Sequence, residues 1–233
     1  MTAVVLQARL DSKRLPGKAM LPLDGKPLLF RVMEALNSIP ADLRILACAE
    51  DSLSAFAPLA EEAGFQTFAG PKEDVLDRFC RVISHFSLKR VIRATGDNPF
   101  VFADAAAAIN AEGFAINADY SGYAGLPYGA GTESICADAL LRAGKEASSP
   151  FDREHVCPYL YTHPEFFKLH RPLAPLRWQG PNIRLTVDTQ EDYERAKELY
   201  AALKIEQHCR YGYVIINTYN SLINLNETNR ARR

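Results

Sequence analysis

At 233 residues, with 48% hydrophobic and 24% charged side chains, the chain has an ordinary globular composition and room for one full core. Its formal net charge of −1 excludes a global field that would draw it to nucleic acid or an anionic membrane, so any anion site must be local. Cys48, Cys80, Cys136, Cys157 and Cys209 are widely spaced with no C-x-x-C pair, which argues against a zinc cage or disulfide framework and for a reducing compartment.

The N-terminus moves straight into a strand-like run without the basic and apolar regions of a signal peptide. No apolar run approaches the ~20 residues needed to span a bilayer. The expectation is a cytosolic protein.

Residues 3–6 (AVVL) read as a buried strand. Residues 7–18 (QARLDSKRLPGK) follow, at the point where a strand end becomes a loop, the rim at which open α/β sheets bind ligands. Arg9, Lys13, Arg14 and Lys18 set four cations against one anion, Asp11, beside a Pro16-Gly17 turn. Such a loop can wrap a polyanion with side chains and backbone N–H groups, although Lys and Arg are also commonly just solvated.

Pro27 opens a periodic stretch in which Leu28, Leu29, Val32, Met33, Leu36 and Ile39 share a helical face, and Pro40 ends it. Residues 43–49 (LRILACA) predict a second buried strand, residues 52–63 a helix stopped by Gly64, and residues 65–69 a short third strand. Gly70-Pro71 then leads into a helix with Glu73 and Asp74 in its first turn, favourable to the helix dipole. Val75, Leu76, Phe79, Cys80, Val82, Ile83 and Phe86 form its apolar stripe, with Asp77 and Arg78 near its start and off that stripe. Residues 89–95 (KRVIRAT) predict a fourth strand ending at Gly96-Asp97-Asn98-Pro99, and an Ala-rich helix follows to about residue 111. Strands and helices in alternation argue an α/β fold with a mostly parallel sheet covered on both faces.

The second half is less regular. Residues 119–131 are rich in Gly, Tyr and Pro and predict loop with short extended pieces; residues 133–136 suit a strand and residues 138–147 a helix. A further helix is expected from Arg153 through Val156, Tyr159 and Leu160, an extended piece over 166–173, and a short strand over 185–187 leading to Asp188. Residues 191–203 form an amphipathic pattern, and a last helix is expected over 213–225 before a polar tail. With no repeat or linker, the expectation is one domain over 1–233, with 119–180 as an inserted lobe for substrate binding or dimerisation.

Asp97 stands directly after one buried strand and Asp188 after another. Strand-end carboxylates often cap turns or helices. Two on one rim with a basic loop can instead hold a Mg²⁺ that also binds phosphate oxygens, and both readings stay open for each acid. Ala19 follows Lys18, so there is no P-loop; the later glycines Gly125, Gly129 and Gly131 lack the context of a dinucleotide fingerprint; no D-x-D or G-x-S-x-G occurs. Arg153, Glu154 and His155 bring a cation, an anion and an imidazole together, a mixture that helix starts also carry without function. Glu133, after a Gly-rich loop, could bind a substrate hydroxyl or merely start a strand.

In order along the chain, QARLDSKRLPGK, EDVLDRF, RATGDNP, REHVCPYLY and LTVDTQEDY resemble the cytidylyltransferases that make CMP-activated sugars. The likeness is to the spore-coat polysaccharide biosynthesis branch, related to the CMP-Kdo and CMP-acylneuraminate synthetases. It implies a Rossmann-like nucleotidyltransferase fold and transfer of CMP from CTP to an anionic sugar or related small acid, with pyrophosphate released. Leu6, Gln7, Ala8 and Arg9 would then line the nucleotide, with Arg9, Ser12, Arg14 and Lys18 on the triphosphate. Arg9, Lys18 and Asp97 would be catalytic, and Asp97 and Asp188 would be the Mg²⁺ ligands. Asp77, Arg78 and Thr95 would approach the base or ribose, and Glu133, Arg153, Glu154 and His155 would face the acceptor. Thr95 departs from the pattern, since the CMP-Kdo synthetases carry Gln before their Gly-Asp. A homodimer is implied by the family. Two alternatives are a nucleotide-sugar-dependent glycosyltransferase, which the missing D-x-D disfavours, and a non-catalytic nucleotide-binding protein.

Overall fold

The structure, a computed structural model, describes residues 1–203 and 211–231, with side chains through residue 225. Strand β1 (Thr2–Ala8) lies inside a sheet covered on both faces, and so its residues 3–6 read as an unbroken apolar run. Successive side chains point to opposite faces: Val4 and Leu6 enter one core, Ala3 and Val5 the other, and all four are fully buried.

From β1 the chain passes through the basic loop and a two-residue hairpin, β2 (Pro22–Leu23) and β3 (Lys26–Pro27), into α1 (Leu28–Leu36). β4 (Leu43–Ala49), α2 (Leu53–Glu62), β5 (Gln66–Gly70), α3 (Val75–Phe86), β6 (Arg90–Thr95) and α4 (Ala103–Ala115) complete the alternating half. β7 (Tyr120–Ser121), β8 (Glu133–Cys136), α5 (Ala137–Glu146), α6 (Pro150–His155), α7 (Pro158–Thr162) and β9 (Leu169–His170) follow, then α8 (Gln190–Ala202) and α9 (Gly212–Ala231). The sheet order is β5-β4-β1-β6-β8-β7-β9. β5, β4, β1 and β6 are mutually parallel, β8 is antiparallel to both neighbours, and β9 runs parallel to β7. This is the α/β, mostly parallel architecture expected, and residues 119–180 add their strands to the same sheet rather than forming a second one.

Several local expectations need correction. The Ala-rich helix continues to Ala115, and the last helix to Ala231. The segment after Arg153 is two short helices, α6 and α7, broken at Val156 with φ 73. The positive φ of Val156 turns the chain, and Pro158, at the first position of α7, has no N–H to continue the ladder of α6, so one continuous helix does not pass. Within 166–173 only Leu169–His170 joins a ladder. Residues 185–187 form no strand: the Leu185 N–H donates to the Tyr128 carbonyl (2.8 Å) and the Val187 N–H to the Asp97 carbonyl (2.9 Å), single bonds to two different segments. Arg78 is not off the buried side of its helix but is 2% exposed. Cys48, Cys80, Cys136 and Cys157 are free thiols, while Cys209 lies outside the described residues. No described helix is long and apolar enough to cross a membrane.

Candidate active site

A cavity of about 690 Å³ opens at the carboxyl ends of β1 and β6. The basic loop forms one wall. Leu15 and Ala19 are buried in the core and anchor it, while Pro16 and Gly17 occupy the middle of a tight turn closed by Lys18 N–H donating to the Leu15 carbonyl (3.2 Å). Gly17 has φ 66, the left-handed geometry that the third position of a type II turn requires. The tip of the loop is held from outside: the Leu10 N–H donates to Ser52 Oγ (2.9 Å), and Lys72 bridges Asp11 (2.7 Å) and Asp51 (2.8 Å). This exposed cluster raises the Lys72 pKa through its hydrogen bonds to Asp11 and then Asp51.

The far wall carries the two acids. Lys18 Nζ lies 3.0 Å from Asp97 Oδ2, 2.9 Å from Asp188 Oδ1 and 2.8 Å from the Val187 carbonyl oxygen. Asp188 also meets Arg14 Nη2 and Arg184 Nη2, each at 2.8 Å. Burial opposes its charge, but Lys18, with Arg14 and Arg184, holds its carboxyl below the usual carboxylate range. Neither acid serves as a cap among the described residues. Thr189 caps α8 in a reciprocal box with Asp192, and the second oxygen of Asp97 accepts from Thr95 Oγ1 (2.8 Å). The donor set fits a small hard cation: two carboxylates and a backbone carbonyl, all oxygen, already converge on one positive atom. No group of three or more His, Cys, Asp or Glu side chains that could together hold a metal ion occurs among the described residues, so further ligands would come from water and phosphate.

The remaining candidate residues separate into those at the cavity and those behind it. Gln7, Ala8, Arg9, Ser12, Arg78 and Thr95 line it, as do Glu154 and His155 from α6. Leu6 lies in the core beneath, and Asp77 pairs with Arg81 (2.7 Å) on the outer side of α3. Arg153 does not reach the cavity. It binds Asp74 through Nε and Nη2 and the Gly144 carbonyl through Nη1 (2.7 Å), tying α6 to the N-cap of α3. Glu133 also lies behind the wall, where it accepts from Arg93, Tyr120 (2.8 Å) and Cys157 (3.3 Å). Burial and then the Glu133 charge push the Tyr120 and Cys157 pKa values up, so both remain neutral donors.

Arg93, Tyr128 and Gly129 are among the lining residues that sequence reasoning did not assign to the site. Arg93 faces the cavity with Nε on Gln7 Oε1 (2.9 Å), and a charged residue inside an apolar strand was the available signal. Tyr128 and Gly129 sit in a turn whose register only the fold reveals. A Cβ at Gly129, where φ is 93, would meet the Thr186 nitrogen at 2.6 Å. Arg78 has a buried Nε without a partner, and its Nη1 donates to the Pro71 carbonyl (3.2 Å). Burial, with Arg9 nearby, lowers its pKa, so this guanidinium is a desolvated donor facing the cavity.

A parallel sheet with a cationic strand-end loop facing two carboxylates defines a nucleotidyltransferase-like site. The cytidylyltransferase family matches residues 3–217, and the chain belongs to that family. It is 35% identical over 206 residues to the spore coat polysaccharide biosynthesis protein SpsF of Bacillus subtilis, covering 84% of this chain and 85% of the relative. A 3-deoxy-manno-octulosonate cytidylyltransferase of Anaeromyxobacter dehalogenans is 29% identical over 248 residues, covering 86% and 98%. The solved structure of a cytidylyltransferase from Leptospira borgpetersenii superposes with a TM-score of 0.84 at 23% identity, covering 96% of this chain and 95% of that one, a likeness of fold.

Proposed function

We propose that this cytidylyltransferase moves CMP from CTP to an anionic sugar, a sugar acid or a related small acid, with Mg²⁺ bound at Asp97 and Asp188, in the making of a polysaccharide precursor. The observation that carries the reading is the meeting of Lys18, Asp97 and Asp188 at one point beside a wall of cations. The named activities of the relatives point the same way.

The acceptor oxygen attacks the α-phosphorus of CTP, that P–O bond forms as the bond to pyrophosphate breaks, and the leaving group carries its negative charge away. Arg9, Arg14 and Lys18 neutralise the charge that grows there, an interaction stronger in the transition state than in the ground state. Bound Mg²⁺ would add charge neutralisation at the phosphates. Ser12 and the N–H groups of the loop orient the triphosphate, and positioning supplies most of the remaining acceleration. Arg78 presents only donors, so it suits the O2 and N3 acceptors of cytosine and disfavours uracil, whose N3 bears a proton. Glu154 and His155, which line the cavity, fall to the acceptor; an acceptor hydroxyl would need a base, for which His155 would be one candidate. Arg153 and Glu133 support this wall from behind. A cytoplasmic location and a homodimer complete the reading, from the reduced cysteines and from the family likeness respectively.

The test is pyrophosphate release from CTP with Mg²⁺ across sugar acids, sugar phosphates and phosphonates, with ATP, GTP and UTP as controls. Release that requires CTP and an acidic acceptor is the expected result. A nucleoside diphosphate released from a nucleotide sugar instead would replace the reading with glycosyl transfer, and tight CTP binding without turnover over the panel would replace it with a binding protein.

A further inference from the structure

Lys18 occupies a position that its work on the triphosphate does not allow. An ammonium has three donors, and here three acceptors take them: Asp97 Oδ2 at 3.0 Å, the Val187 carbonyl at 2.8 Å and Asp188 Oδ1 at 2.9 Å. The side chain is 15% exposed. While Lys18 rests there no donor is left for a phosphate, and the ammonium occupies the point at which the two carboxylates converge. Arg14, from the same loop, also rests on Asp188 (2.8 Å), so the loop is latched onto the acids that the proposed metal would need.

We propose that Lys18 is the resident counter-cation of the Asp97–Asp188 pair, and that divalent metal and triphosphate displace it only together. The ammonium then passes from the carboxylates to the phosphates. This deepens the reading of the metal site given above and rests on it.

Charge dictates the coupling. Asp188 keeps Arg14 and Arg184 when Lys18 leaves, whereas Lys18 is the cationic partner of Asp97 among the described residues. A divalent ion entering alone must expel the ammonium into a cavity already lined by Arg9, Lys13, Arg78 and Arg93, where like charges repel it. A triphosphate entering alone finds its lysine engaged. When both enter, the metal satisfies the acids and the phosphates satisfy the lysine. Each ligand therefore raises the affinity of the other by the same factor, a reciprocity that linkage requires. The flexible four-carbon stem of Lys18 makes the transfer possible without moving Leu15 or Ala19, which remain buried in the core.

The test uses Mn²⁺ as the probe, read by water-proton relaxation enhancement, which separates protein-bound Mn²⁺ from Mn²⁺–CTP in solution. Wild-type protein should bind Mn²⁺ weakly alone and at least about tenfold more tightly with CTP. Lys18→Met should bind Mn²⁺ without nucleotide at least about tenfold more tightly than wild type, with CTP adding little. A thermal melt gives a second readout: in chelator Lys18→Met should melt below wild type, and Mn²⁺ alone should raise the variant but not the wild type. Equal Mn²⁺ affinity in the two proteins, or an equal Mn²⁺-induced rise in melting temperature, overturns the exchange while leaving the metal site standing. No protein-bound Mn²⁺ in either, even with CTP, overturns the exchange and the metal site together.

Discussion

Arg153 closes on Asp74 across 79 residues of sequence, with Nη2 2.5 Å and Nε 3.0 Å from the carboxylate. Asp74 is also the N-cap of α3, accepting the Asp77 N–H at 2.9 Å, so one carboxylate starts the helix that carries Arg78 and fastens α6, which carries Glu154 and His155. The pair fixes the distance between two walls of the cavity without touching what binds there.

Arg153→Ala should therefore act on stability before chemistry. Removing charge-assisted bonds from a partly exposed pair should cost about 1–2 kcal/mol, read as a lower urea midpoint with an unchanged slope. An unchanged midpoint, with a loss of CTP affinity as large as that of Arg9→Ala, would place Arg153 on the substrate instead.

Asp97→Asn keeps the shape of the turn and removes the charge. Turnover should fall about 10²–10³-fold, with the circular dichroism spectrum retained. Near-normal activity would remove Asp97 from any metal or catalytic role.

Arg78→Met should separate stability from function. The guanidinium is buried with an unsatisfied Nε and has no carboxylate partner among the described residues, so an apolar side chain of similar length relieves a desolvation cost. The variant should melt at or above the wild-type temperature while CTP affinity falls about tenfold or more and preference over UTP narrows. A destabilised variant with intact CTP-over-UTP preference would defeat this assignment.

Acid should unfold the protein through the cluster at the start of α8. Burial opposes ionisation of Asp192, but its hydrogen bond from Arg184 and the Asp188 N–H keep its carboxyl below the ordinary range, and Asp188 is depressed as well. Groups depressed in the folded state contribute their full stabilisation above the unfolded value of about 3.9, and lose it as pH falls through the folded values. Melting temperature should accordingly drop steeply below about pH 4, and Asp192→Asn should start lower at pH 7 and fall less. An acid limb unchanged in the variant would exclude this cluster as its cause.

The relation of sequence to structure is clearest in three places. The runs at 43–49 and 89–95 could be assigned because a strand buried on both faces is largely apolar, interrupted here only by Arg44, Arg90, Arg93 and the end residues, and the stripe of α3 because a helix buries one side. Arg153 shows where such reasoning stops. Its neighbours Glu154 and His155 reach the cavity while it turns back to Asp74, and a motif of three adjacent polar residues carries no record of which way each points. The same holds for Glu133, whose bonds to Arg93, Tyr120 and Cys157 bring together three chain segments.

By itself the sequence determined the alternating α/β order, the cationic loop at the first strand end and the two acids after later runs, because periodicity, turn chemistry and charge are local properties. Only the tertiary structure decided that Lys18 meets Asp97 and Asp188, 79 and 170 residues away, that Thr189 rather than Asp188 caps α8, and that Arg78 is a buried donor. Contacts between distant residues depend on sheet order and loop register, and those are settled by packing two cores at once rather than by any stretch of chain alone.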